Sequence, residues 1–131
     1  MDKMNRAILK CLQKNARMSW QQIGKEVHLT GQAVAARVMQ MEAQGIIEGY
    51  TIRQGQAQRH FITVFMENSQ FDAFEAFLKQ QPQVEQVYKV TGEGCYQVVV
   101  LCESSADLEP FLNALLPFCR YKVSTAIRNV K

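Results

Sequence analysis

Residues 19–50, SWQQIGKEVHLTGQAVAARVMQMEAQGIIEGY, constrain the fold more than any other part of the chain. Ser19 stands three residues before Gln22, the spacing of a capping box, in which each side chain satisfies the other's backbone donor. Ile23 and Val27 follow at i, i+4 and define one apolar face, and Gly24 between them leaves room for close approach. His28-Leu29-Thr30 is too short for anything but a tight turn. His28 takes its left-handed position, a region histidine visits more readily than most residues do. Leu29 is placed to plug the core, and Thr30 is the N-cap of the next helix. That helix runs over about 31–43 and buries Val34, Val38 and Met41, with Gly45 as its stop. Residues 46–52 then read as an extended strand leaving the domain. A preceding helix over 2–14 carries Ile8, Leu9 and Leu12 on one side, with Met4 and Ala7 extending it. Two short helices on such a turn form a helix-turn-helix, a device that lays its second helix in the major groove of duplex DNA.

The charge distribution agrees with an anionic partner for this half. Residues 1–53 carry eight basic and four acidic side chains, a balance of +4, whereas residues 54–131 carry seven and eight, a balance of −1. The outer face of the third helix carries Gln32, Ala33, Ala36, Arg37 and Gln40. Small residues permit approach to base edges, Gln suits adenine, and Arg suits guanine or phosphate. Ser19, Thr30 and Gly31 lie at helix N-termini, where backbone donors favour a phosphate. Arg17, Lys25 and Arg53 supply further backbone contacts.

These residues bring a family into view. Residues 1–51 resemble the N-terminal domain of the Lrp/AsnC (leucine-responsive, feast/famine) regulators. The resemblance rests on Asp2 with Ile8-Leu9 and Leu12, on Asn15-Ala16-Arg17-Met18-Ser19, on Arg37-Val38 with Met41-Glu42, and on Gly45-Ile46-Ile47-x-Gly49-Tyr50. The family usually has Gly where this chain has His28, and often Ser-Pro where it has Thr30-Gly31. Both differences bear on how the third helix starts.

After a short polar linker, 54–60, the pattern becomes strand, helix, strand, strand, helix, strand over residues 61–131. Residues 59–67 and 95–102 are apolar on both faces, 84–90 is less buried, and 121–128 alternates with Tyr121, Val123, Thr125 and Ile127 on one face. Helices are expected over 69–81, with Phe71, Phe74, Phe77 and Leu78 inward, and over 107–118, capped by Asp107 because Pro110 is tolerated only in a first turn. The class is therefore α+β, a helix-turn-helix followed by a ferredoxin-like βαββαβ domain. Strand order 4-1-3-2 puts the doubly apolar first and third strands in the centre. Helices cover one sheet face, and a second copy of the sheet is the simplest cover for the other. A homodimer follows, with higher assembly open.

The resemblance extends more loosely through residues 61–128 and implies a RAM-type domain that assembles dimers and often octamers and binds amino acids. Its best local match is Thr91-Gly92-Glu93-Gly94-Cys95-Tyr96, where family members commonly have Gly-Asp-x-Asp-Tyr near the effector site. Gly92, Glu93, Gly94, Cys95 and Tyr96 are thus the candidate effector residues. Cys95 replaces the second Asp, so a carboxylate that would hold an ammonium is missing there, and Glu93 is its candidate substitute. On residues alone the same loop reads as a hairpin whose Gly takes positive φ. Both readings stand at this level.

Other classes fit less well. His28 and His60 fall in a turn and the linker, and no Ser/His/Asp, Cys/His or P-loop arrangement is present, so no catalytic residue, metal ligand or cofactor is assigned. Cys11, Cys95, Cys102 and Cys119 are scattered as for reduced, mostly buried thiols. No apolar run spans a bilayer and the N-terminus shows no signal-peptide core. The expectation is a cytoplasmic, nucleoid-associated regulator that binds double-stranded DNA as a dimer or octamer and takes an amino-acid effector. An architectural DNA binder without an effector is the alternative.

Overall fold

The computed structural model describes all 131 residues, which divide into two compact units, 1–53 and 54–131. The first unit contains α1 (Lys3–Lys14), α2 (Trp20–Val27) and α3 (Gly31–Ala43). Its core is Ile8, Cys11, Leu12, Ile23, Val27, Val34, Val38 and Met41, with Leu29 and Ile47 packed against it. α3 ends in a Schellman cap. The Ile46 and Gly45 N–H groups donate to the Met41 and Glu42 carbonyls at 2.9 and 3.1 Å, with Gly45 at φ 76°. The strand expected over 46–52 does not form. A strand needs an edge to pair with, and this unit is entirely helical. Ile47 docks on the helices instead, while Tyr50 and Ile52 stay exposed.

The second unit contains β1 (Gln58–Met66), α4 (Phe71–Lys79), β2 (Val84–Lys89), β3 (Tyr96–Cys102), a 3-10 turn (Ser105–Asp107), α5 (Leu108–Leu115) and β4 (Cys119–Thr125). The sheet order is β2-β3-β1-β4, all antiparallel, which is the expected order read from the other edge. β1 pairs His60 with Val100 and Thr125, and Ile62 with Val98 and Val123. Residues of this parity face the helices. Ile62, Val64, Tyr96, Val98 and Val100 from the strands meet Phe74, Leu78, Phe111 and Leu115 from α4 and α5. The opposite parity leaves Phe61, Phe65, Val99 and Leu101 on a face that is only partly covered, with Phe61 41% exposed.

Several boundaries differ from those the sequence predicts, each for a local reason. The linker is shorter than 54–60, because β1 begins at Gln58. Arg59 reaches across β3 to make a two-point ion pair with Glu85 at 3.0 and 2.8 Å. His60 is no linker residue. It is 2% exposed and faces inward, its Nδ1 2.9 Å from the Thr125 hydroxyl and its Nε2 buried with no partner. α4 starts two residues late because the Asn68 side chain accepts from the Gln70 N–H and holds the chain in a turn. Asp107 does not cap α5. The donor such a side chain ordinarily takes, at the third helical position, is absent because that residue is Pro110. The Asp107 carboxylate turns back instead to the Ser104 N–H and hydroxyl, both at 3.3 Å. α5 ends at Leu115, short of the expected Phe118, whose N–H closes a turn on the Leu115 carbonyl. β4 lies earlier than 121–128 because its partner β1 begins at Gln58. The last rung is the Ala126 N–H to the Arg59 carbonyl, and Ile127 is left 98% exposed.

Cys11, Cys102 and Cys119 are buried, and all four thiols are free. Burial pushes the Cys119 thiol up to about 11 and raises Cys102 as well, so both stay protonated and pack as small apolar groups. No helix is long and apolar enough to cross a membrane.

Phe74 is fully buried between the Tyr96 and Phe118 rings, both at 5.3 Å between centroids. Phe74→Ala is expected to lower stability by about 3–5 kcal/mol, read as the shift of the far-ultraviolet dichroism transition in urea.

Candidate nucleic-acid interface

Local side-chain bonds set each helix of the first unit. Asp2 caps α1, accepting the Asn5 N–H at 2.7 Å. Ser19 and Gln22 close the capping box at the start of α2, at 3.1 and 2.9 Å. Thr30 caps α3 by accepting the Ala33 N–H at 3.1 Å. Between α2 and α3, His28 adopts φ 62°, ψ 45°, the left-handed conformation expected of it. The Leu29 N–H then returns to the Gly24 carbonyl at 2.9 Å. A Cβ on Gly24 would collide with the Leu29 carbonyl oxygen, at a separation that non-bonded Cβ atoms essentially never show. The close approach that Gly24 permits is therefore to the turn itself, and it fixes the direction in which α3 departs.

With Val34, Val38 and Met41 inward, the solvent face of α3 is Gln32, Ala36, Met39 and Gln40, all exposed, with Ala33 and Gly31 beside them half-buried. Arg37 is not on the centre of that face. Its Nη1 donates to both Asp2 carboxylate oxygens, at 3.1 and 2.9 Å, and to the Asn5 Oδ1 at 3.1 Å. The residue expected to read guanine or phosphate thus ties α3 to the N-terminus of α1. These bonds hold the Asp2 carboxyl below its ordinary 3.8, the Asn5 backbone bond first and Arg37 second. Elsewhere on α1, α2 and the turn between them, Arg17 and Lys25 are exposed, as are Lys3, Arg6, Lys10 and Lys14, and none of these six forms an ion pair with a carboxylate. Trp20, 40% exposed, opens α2 beside Ser19. Met39 is apolar, so nothing in its residue type marks it as a reading residue. The signal is its spacing, three after Ala36 and four before Ala43, which puts all three on one stripe.

The candidate effector loop is a tight connection between β2 and β3. Gly92 and Gly94 have φ 103° and 79°, as the hairpin reading requires. Gly94 lies so close to β1 that a Cβ would sit 2.7 Å from the Thr63 methyl and 2.9 Å from the Val64 carbonyl. The Cys95 N–H donates to that carbonyl at 2.7 Å, and Cys95 is half-buried against the core. Glu93 pairs with Lys122 of β4 at 3.1 Å, both exposed. Tyr96 does not join the others. It is 1% exposed, on the helix-facing side, and its hydroxyl donates to Glu75 at 2.6 Å. Burial, and then Glu75, push its pKa well above the ordinary 10.0. The loop brings together Gly92, Glu93, Gly94 and Cys95, and the core takes Tyr96.

Comparison with known proteins decides the family. The AsnC-type helix-turn-helix domain matches residues 1–42, and the Lrp/AsnC ligand binding domain matches residues 59–131. The regulator LrpB of Bacillus subtilis is 34% identical, over 99% of this chain and 91% of its own. The chain belongs to the Lrp/AsnC family. LrpA of Bacillus subtilis, another Lrp/AsnC regulator, is 35% identical over 96% of this chain and 97% of its own. Among solved structures, Bacillus subtilis LrpC superimposes with a TM-score of 0.88 at 24% identity, covering 100% of this chain and 97% of its own. A Neisseria meningitidis regulator solved as its L-Met complex gives 0.86 at 23% identity, covering 100% and 92%. This Lrp/AsnC chain is accordingly a DNA-binding transcriptional regulator of the helix-turn-helix type and not an enzyme.

Two outcomes check the geometry of the reader. Gly24→Ala is expected to cost about 1–3 kcal/mol, seen as an earlier urea transition of Trp20 fluorescence, whereas His28→Gly leaves that transition unchanged or raises it. For the N-terminal pair the sign follows from a lowered carboxylate pKa. Its stabilisation is complete above 3.8 and is lost as pH falls through the lower folded value. In an NMR titration Asp2 should therefore titrate below 3.8, and should remain below it in Arg37→Gln, since the Asn5 bond survives.

Proposed function

We propose that the chain acts as a homodimer, formed through the partly covered sheet face, which presents two copies of α3 to half-sites about one helical turn of DNA apart. The observation that carries this reading is the stripe Gln32–Ala36–Met39–Gln40 standing exposed on the second helix of a fully capped helix-turn-helix, in a unit with six exposed cations that have no carboxylate partner. Gln32, Ala33, Ala36 and Gln40 face base edges. Arg17, Lys25 and the helix starts at Ser19, Thr30 and Gly31 face phosphates. Dimerisation is supported by the apolar side chains on the outer sheet face, Phe61, Phe65, Val99 and Leu101, with Tyr88 on β2 56% exposed. An octamer is the further assembly proposed for the same surface chemistry, acting on the nucleoid in the cytoplasm.

We further propose that an amino acid tunes this assembly through residues 92–95, where Glu93 supplies the carboxylate for an ammonium group once Lys122 releases it. The Lrp/AsnC ligand binding domain match and the L-Met complex of the Neisseria meningitidis regulator support an effector. Constitutive architectural binding is the second reading, favoured by Cys95 standing where a carboxylate would hold the ammonium and by Tyr96 being occupied with Glu75.

Two measurements test the set. Binding of a duplex pool should weaken linearly with salt on a logarithmic scale, and Lys25→Ala or Arg17→Ala should each make that slope shallower by about 1. An unchanged slope in both variants removes them from the interface. Light scattering with and without the twenty amino acids should show at least a dimer. A ligand-dependent change of mass supports the effector, and none with any amino acid supports the architectural reading.

A further inference from the structure

The reading face of α3 has a chemistry that selects among bases. Met39 is 69% exposed, while Met41, two residues on, is fully buried. The core therefore had a methionine-sized place and filled it, and Met39 stands out by its position on the helix. On its stripe Met39 is flanked by Ala36 and Ala43 at helical spacing, with Gln32 and Gln40 exposed beside it. The one cation of α3, Arg37, lies off the stripe and spends its Nη1 on Asp2 and Asn5. Nothing charged projects from the centre of the face, so the bidentate contact that arginine or lysine makes to guanine has no donor there. What remains is two amides, which match the N6 and N7 of adenine, and a run of methyl, methylene and thioether groups, which match the thymine 5-methyl. The methyl is the only apolar group any base pair shows in the major groove, and a flexible thioether chain adapts to it readily.

We propose that Met39 is a specificity-determining residue that packs on thymine 5-methyl groups, so that α3 selects A·T pairs at the centre of each half-site. This rests on the reading that α3 enters the major groove. Leaving an exposed methionine on the rim of a helix costs little, but on the groove side it removes methyl and thioether surface from water in the bound state, worth about fourfold in affinity for each methyl group covered.

The test pairs a change in the protein with a change of one methyl in DNA. Duplexes that the full-length chain prefers are selected from a random pool at fixed salt, and each thymine of the selected site is then replaced in turn by uracil, which lacks only the methyl. With the unaltered protein, at least one uracil should weaken binding about fourfold or more. In Met39→Ala, which alters an exposed residue, binding to the thymine duplex should weaken by a similar factor, and the same uracil should cost nothing further. Equal losses on uracil in both proteins, or no loss in either, overturn the proposal, as do selected half-sites with G·C at their centre. If Met39→Ala changes the mass in light scattering and leaves the uracil effect intact, Met39 serves protein contact and the proposal fails. A chain that prefers no duplex at all over competitor DNA fails at the earlier step, the reading of α3 as a groove-binding helix.

Discussion

The carbonyl of Leu29 lies against the α-carbon of Gly24, closer than any side chain would allow. That approach decides how sharply the chain turns between α2 and α3. It also explains the left-handed His28, because the backbone must reverse within three residues to bring Leu29 under the helices. The caps at Ser19 and Thr30 then start each helix in a fixed place. With the turn and both caps set, Val34, Val38 and Met41 have no choice but to face Ile23 and Val27, and the other side of α3 is given to solvent. The recognition surface is thus a by-product of packing on the opposite face.

A comparable constraint operates in the second unit at Gly94. The loop between β2 and β3 presses on β1 at Thr63 and Val64, and the Cys95 N–H bonds to the Val64 carbonyl. That contact anchors the start of β3 against the central strand. It makes Tyr96 the first inward residue, and Tyr96 becomes the hub on which Phe71 and Phe74 gather and from which a hydroxyl reaches Glu75. The alternation that follows buries Val98, Val100 and Cys102 and turns Val99 and Leu101 outward. A loop that resembles an effector site by sequence therefore also organises the core, and three of its five candidate residues, Gly94, Cys95 and Tyr96, are committed to that task.

How much is legible in the sequence depends on range. The capping box, the Thr30 cap, the left-handed His28 and the Gly45 stop are all bonds between residues within a few positions of one another, and each is visible in composition and spacing. The βαββαβ order and its central strands are legible for the same reason, since two-residue and helical periods are local. The bonds of Arg37 to Asp2 are not legible because the two stand 35 residues apart, and no spacing rule links a helix N-cap to a side chain on a different helix. Arg59 and His60 fall where the polar linker and the strand over 59–67 overlap, because polar residues read as loop even at a strand's start. Their burial depends on Thr125 and Glu85, again far along the chain. The strand expected over 46–52 shows the converse. Its β-branched residues are real, but a strand is a property of two segments, and nothing in the first unit pairs with it.

The division of charge on the first unit has a kinetic meaning. Six exposed cations of this unit have no carboxylate partner, while the exposed stripe of α3 carries no charge at all. Attraction to phosphate is indifferent to sequence and draws the protein to any duplex, along which it slides. The neutral stripe adds nothing to that attraction and gains contacts only where base edges match it. On the proposed interface, search would be driven by one set of residues and arrest by another. Ionic strength would then set how long the protein scans and leave unchanged what makes it stop.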